Sequence, residues 1–107
     1  MVSDLSPTLD CQGHLQDFQA WNPQVAAWFA GAENIILQDE HWQIIDLVRD
    51  FYLRTDISPD MRPLVKMVRQ ALGDDCGNSI YLMQRFGSNP ARSVARIAGL
   101  PKPSNCL

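Results

Sequence analysis

The 107-residue sequence predicts a mainly helical α+β fold: a small N-terminal β-hairpin or meander, about five helices, and an extended C-terminal arm. Three observations predict it. Asn22-Pro23, Ser58-Pro59 and Asn89-Pro90 each place a capping side chain before a proline at a first helical position, where the missing N–H costs nothing. Glycines 31, 73, 87 and 99 stand where helices begun upstream should stop. Between these marks, apolar residues recur at spacings of three and four.

Before Trp21 the pattern is different. Leu5, Leu9 and Leu15 are separated by Asp10-Cys11-Gln12-Gly13, which reads as a tight turn, so residues 4–16 are expected to form the hairpin or meander. Helices are then expected at about 23–30, 39–54, 59–72, 78–86 and 90–98. Asp39 is the expected cap of the second, in which Trp42, Ile45, Val48 and Tyr52 share one face and Ile44, Leu47 and Phe51 supply another. The third sets Met61, Leu64, Val65, Val68 and Leu72 on one side and Arg62, Lys66 and Arg69 on the other. Asn78 and Ser79 read as the cap of the fourth.

Composition narrows the class. With 46% apolar and 20% charged residues, the chain reads as one domain over 1–107, able to build a core without disulfides or metal. Met1-Val2-Ser3-Asp4-Leu5-Ser6-Pro7 has no basic or apolar leader pattern, and the longest apolar run, 25–32, is far short of the roughly 20 residues of a membrane span. A cytoplasmic protein without membrane contact is expected. Cys11, Cys76 and Cys106 make an odd, widely spaced set, which suits reduced thiols in a reducing compartment. His14 and His41 do not complete a zinc site, so no metal and no cofactor is assigned.

The net charge of −3 conceals a division. Residues 1–59 carry two basic and nine acidic side chains, residues 60–107 seven and three. The C-terminal half either offers a mildly basic face to an acidic partner or to RNA, or is drawn to the acidic half within one fold.

The end of the chain carries the chemistry. Gly99, Leu100, Pro101, Lys102 and Pro103 form an arm in which two prolines fix φ and press their predecessors toward extended backbone, rising roughly 3.1 Å per residue if polyproline-like. It leads to Cys106, one residue from the end, where packing partners are few, so that either the thiol has a chemical use or the cysteine is incidental to a frayed end. Cys11 reads as a surface thiol in a turn and Cys76 as a residue at the start of a helix.

Gly77-Asn78-Ser79 with Tyr81-Leu82, Phe86, Pro90-Ala91, the run from Ile97 through Gly99-Leu100-Pro101-Lys102-Pro103 and the penultimate Cys106 together resemble the DsrC/TusE family. His41-Trp42, Val48-Arg49-Asp50-Phe51-Tyr52 and the Pro59, Arg62, Leu64, Lys66 series extend the resemblance upstream. It implies a small β-meander packed on helices with a protruding arm. Members of the sulfite-reductase branch carry a second cysteine eleven residues before the penultimate one, a position held here by Ala95. The resemblance therefore implies the single-thiol, TusE-like branch: a sulfurtransferase in which Cys106 accepts persulfide sulfur from a TusBCD-type complex and passes it to a tRNA 2-thiouridylase, with tRNA contacted only indirectly. Gly99 to Pro103 would serve as the partner-docking arm. Two other readings stand beside it: a DsrC-like partner in sulfite reduction or sulfur oxidation, and a noncatalytic helix-turn-helix binder built from the helices at 59–72 and 78–86.

Overall fold

Local caps set most helix boundaries in the structure, a computed structural model that describes residues 6–104. Asn22 stands in extended backbone and accepts from the Val25 N–H, so α1 runs Pro23–Ala32. Asn78 accepts from the Tyr81 N–H and starts α4, Ser79–Phe86, while Asn89 precedes α5, Pro90–Ile97. The capping of α1, α4 and α5 is that expected from the sequence.

Two expected caps are replaced. The residue before α2 (Asp39–Thr55) is Gln38, whose N–H donates to His41 Nδ1 at 3.0 Å; Asp39 lies inside the first turn, where its carboxylate meets the positive end of the helix. α3 spans Met61–Leu72 behind Asp60, not behind Ser58. Ser58 is buried, and its hydroxyl donates to the Pro101 carbonyl, a distant acceptor that displaces the local capping role. Gly31 does not stop α1 either: the helix continues to Ala32, and the turn falls at Asn34, with φ 60°.

The N-terminal hairpin or meander is not present among the described residues. The turn forms as expected, with Asp10 Oδ1 accepting from the N–H groups of Gln12 and His14. Only one antiparallel bridge follows from it, between Leu9 and Leu15. The ladder ends because Asp17 caps a single 3-10 turn, Phe18–Ala20, which bends the chain away two residues later. Residues 4 and 5 of that expectation lie outside the described residues.

The helices converge on α5, which packs against each of the other four. Pro90, Ala91, Ser93, Val94, Ala95 and Ile97 are all buried, and their small side chains let the larger ones of neighbouring helices close in. Ile44, Ile45 and Val48 of α2 and Leu64 and Val68 of α3 are fully buried, each contributing about 1.5–3 kcal/mol relative to exposure. Arg62, Lys66 and Arg69 face outward, as their spacing predicts. The basic second half partly attracts the acidic first: Arg96 Nη1 meets Glu33 Oε2 at 2.7 Å, and Arg85 approaches Glu40 at 3.7 Å. Among the described residues no helix is long and apolar enough to cross a membrane.

Candidate functional site

The arm grows from the central helix. α5 ends in a Schellman-type turn, in which the Leu100 N–H donates to the Ala95 carbonyl at 2.8 Å and the Gly99 N–H to that of Arg96 at 3.2 Å. Such a turn needs a left-handed residue, and Gly99 supplies it with φ 79°. A Cβ at Gly99 would also stand 2.6 Å from Trp21 Cδ1, so both backbone geometry and close packing require glycine.

Four side chains from distant parts of the chain hold the backbone through this turn and just beyond it. Trp21 Nε1 donates to the Ile97 carbonyl at 2.8 Å and Arg49 Nη1 to that of Ala98 at 2.7 Å. His14 Nδ1 donates to the Leu100 carbonyl at 3.0 Å, and Ser58 Oγ to that of Pro101 at 2.5 Å. The Arg49 guanidinium lies between the rings of Phe18 and Trp21, 4.0 and 3.9 Å from their centroids, which orients its donors. Burial holds this guanidinium below its ordinary pKa, with Asp46 acting in the opposite sense.

A carbonyl only accepts, so the neutral His14 ring carries its proton on Nδ1. Its Nε2 is buried and has no partner among the described residues. Burial is the main cause that pushes the pKa of His14 below 6.5; the Leu100 contact and Asp10 raise it, and Arg96 and Arg92 add to the lowering.

Of the five arm residues singled out in the sequence, Gly99, Leu100 and Pro103 are buried against the body, Lys102 is half-buried and Pro101 is exposed. Cys106 lies outside the described residues. Ala95 is buried in α5, and its carbonyl accepts from the Leu100 N–H. Cys11 is an exposed free thiol and Cys76 a half-buried one. The Tyr81 hydroxyl is pushed up in pKa by burial and then by its hydrogen bond with Cys76. Gly77, beside Cys76, lies against Arg69, whose Nη2 donates to its carbonyl at 3.0 Å; a Cβ at Gly77 would meet Arg69 Cα at 2.3 Å.

Arg62 and Lys66 are exposed on α3 and Arg92 on α5. Arg85 stacks over Tyr81 at the edge of a cleft of about 580 Å³, between Asn34–Gln38 and the end of α4. No group of three His, Cys, Asp or Glu side chains that could hold a metal ion occurs among the described residues.

His14, Trp21, Arg49 and Ser58 were not singled out as site residues by the sequence. Ser58 carries a local signal for helix capping, and the sequence draws notice to His14 only as a potential metal ligand. Their common property, a donor on a side chain that burial forces to find an acceptor, becomes visible only when the elements pack.

The family model for DsrC like protein matches residues 1–107. The sulfurtransferase TusE of Sodalis glossinidius is 47% identical over 98 residues, covering 92% of this chain and 91% of that protein. The sulfurtransferase TusE homolog of Haemophilus influenzae is 42% identical over 106 residues, covering 99% and 97%. Among solved structures, that of Allochromatium vinosum DsrC superposes with a TM-score of 0.83 at 41% identity, covering 92% of this chain and 88% of that one. The oxidized gamma-subunit of dissimilatory sulfite reductase (DsrC) from Archaeoglobus fulgidus gives 0.81 at 38%, covering 94% and 92%. Matched from end to end by the family model and over 92% of its length by a solved DsrC structure, the chain belongs to the DsrC-like family.

Proposed function

We propose that the protein is a sulfurtransferase that acts as a persulfide carrier, with Cys106 as its sulfur-bearing nucleophile. Relatives named sulfurtransferase TusE, 40–47% identical over nearly the whole chain, support the sulfur-carrier role. The observation that carries the assignment to the tail is the anchoring of residues 97–101 by four side chains, with Pro103 buried only three residues before Cys106. Chain geometry then keeps the Cys106 Cα within about 11 Å of the Pro103 Cα.

In the transfer, the Cys106 thiolate attacks the terminal sulfur of a donor persulfide. The donor's S–S bond breaks as the new one forms, the electron pair leaves on the donor thiolate, and Cys106 becomes a persulfide. An acceptor thiolate repeats the exchange in the opposite sense. The donor's site, not this chain, is expected to activate the Cys106 thiol.

The relay we assign runs from a TusBCD-type complex to a tRNA 2-thiouridylase in a reducing cytoplasm. A DsrC-like role in sulfite reduction or sulfur oxidation is favoured by the similarity to DsrC structures. It lacks the second tail thiol, since Ala95 occupies that place and no intramolecular tail disulfide can close there. The test is mass spectrometry after incubation with a persulfide donor: one sulfur atom is added on Cys106, and Cys106→Ser removes it. Sulfur found only on Cys11 or Cys76 overturns the assignment. In cells whose only copy carries Cys106→Ser, tRNA is expected to lose 2-thiouridine; unchanged 2-thiouridine would rule out this relay.

A further inference from the structure

We infer that His14, Trp21, Arg49 and Ser58 are positioning residues for the tail thiol: together they form a clamp that reads the arm's backbone and fixes where and in which direction its last residues leave the body. The inference rests on the carrier reading of Cys106 given above.

The four donors take the carbonyls of residues 97, 98, 100 and 101. The position they skip is Gly99, which Trp21 covers directly. A helix end alone does not call for this. The Schellman turn already satisfies the carbonyls of Ala95 and Arg96, and carbonyls at the end of a chain are ordinarily left to water. Here the holding continues past the helix, to the Leu100 and Pro101 carbonyls and to the buried Pro103 ring.

Three of the donors are themselves held from behind. Arg49 lies between two aromatic rings, the His14 N–H donates to Asp10 Oδ1 at 3.0 Å, and Ser58 is buried where α2 passes to α3. Because every contact is to a carbonyl, successive peptide planes are oriented, and the prolines at 101 and 103 convey that orientation outward with fixed φ. A thiol on so short a tether meets a donor's sulfur productively only if the tether starts in the right direction. The transfer needs the three sulfurs nearly in line, and small displacements of a reacting atom cost large factors in rate.

The test uses the full chain with Cys11→Ser and Cys76→Ser, leaving Cys106 as its single thiol, with and without Ser58→Ala, Ser58→Thr and Arg49→Lys. One readout is the line shape of a nitroxide attached to Cys106. The second is the ratio of two loading rates: from a persulfidated protein donor of the TusBCD type, and from inorganic polysulfide, whose end sulfur the thiolate takes as a shortened polysulfide leaves with the electron pair. Polysulfide needs only the thiol, so the ratio isolates positioning from reactivity.

Ser58→Ala and Arg49→Lys are expected to raise the mobile component of the nitroxide and to lower the ratio about tenfold, and Ser58→Thr, which keeps the hydroxyl, to restore both. An unchanged line shape and ratio in Ser58→Ala and Arg49→Lys would overturn the clamp. So would a fall in both loading rates by the same factor, which marks a structural defect only. If polysulfide adds no sulfur to Cys106 in the parent protein, the carrier reading fails, and the nitroxide alone then decides whether the clamp exists.

Discussion

The guanidinium of Arg49, in the C-terminal half of α2, donates to the carbonyl of Ala98, forty-nine residues later, at 2.7 Å. This bond ties the longest helix to the end of the central one, and the rings of Phe18 and Trp21 on either side bring the N-terminal segment into the same contact. Charge alone does not account for it. The planar fork both stacks and donates, which an ammonium cannot do in the same place.

Arg49→Lys, which keeps the charge, is therefore expected to destabilise the protein by about 1–2 kcal/mol through lost stacking and a weakened hydrogen bond. Urea denaturation of the two proteins measures it; equal midpoints would show that charge was the relevant property.

Gly99 and Gly87 both have positive φ, 79° and 92°, but a Cβ at Gly87 meets nothing within 4 Å, whereas at Gly99 it meets Trp21. Gly87→Ala is expected to cost about 1 kcal/mol, from backbone strain alone, and Gly99→Ala about 2–4 kcal/mol. Thermal melts give the comparison. Similar losses would mean that Trp21 yields without cost.

Stability should fall in acid because of His14. Its folded-state pKa is depressed, so the unfolded chain takes up a proton first as the pH drops. The contribution of the neutral ring is complete above about pH 7 and is lost as the pH falls below 6.5, with a slope of at most about 1.4 kcal/mol per pH unit. His14→Asn keeps a donor near the place of Nδ1 but does not titrate. The difference in unfolding free energy between about pH 7.5 and about pH 5 should be smaller in the variant; an equal difference would exclude His14 as its source.

Two ion pairs should differ sharply. Glu33 accepts from Ser93 Oγ at 2.6 Å and from Arg96 Nη1 at 2.7 Å, and the side chains of Glu33 and Arg96 are only 19% and 20% exposed. Glu33→Ala leaves the buried Ser93 hydroxyl and the half-buried Arg96 guanidinium without their acceptor and is expected to cost about 2–3 kcal/mol. Asp50→Ala breaks the exposed pair with Arg54 and should change stability by a few tenths of a kcal/mol. Chemical denaturation of both variants separates the two cases.

What could be read from the sequence was what neighbouring residues decide among themselves. Asn22, Asn78 and Asn89 cap the helices they precede, Gly73 and Gly87 end theirs, and the apolar spacing of α2 and α3 gives their buried faces. The N-terminal segment misled because a turn with flanking leucines is needed for a hairpin but is not sufficient for one. The cap at Asp17 ends the pairing after one bridge.

By itself the sequence determined the helical order, the prolines at 101 and 103 and the cysteine at 106, since these depend on residue identity and local spacing, while the meaning of Ala95, as the place of an absent second thiol, came from the family resemblance. Only the tertiary structure decided that the arm's root is held, because its contacts join residues 43 to 86 positions apart. Ser58 shows the physical reason. Its sequence neighbours suit it to cap a helix, but burial beside the Pro101 carbonyl gives its hydroxyl a distant acceptor, and no local pattern encodes which carbonyl packing will bring within reach.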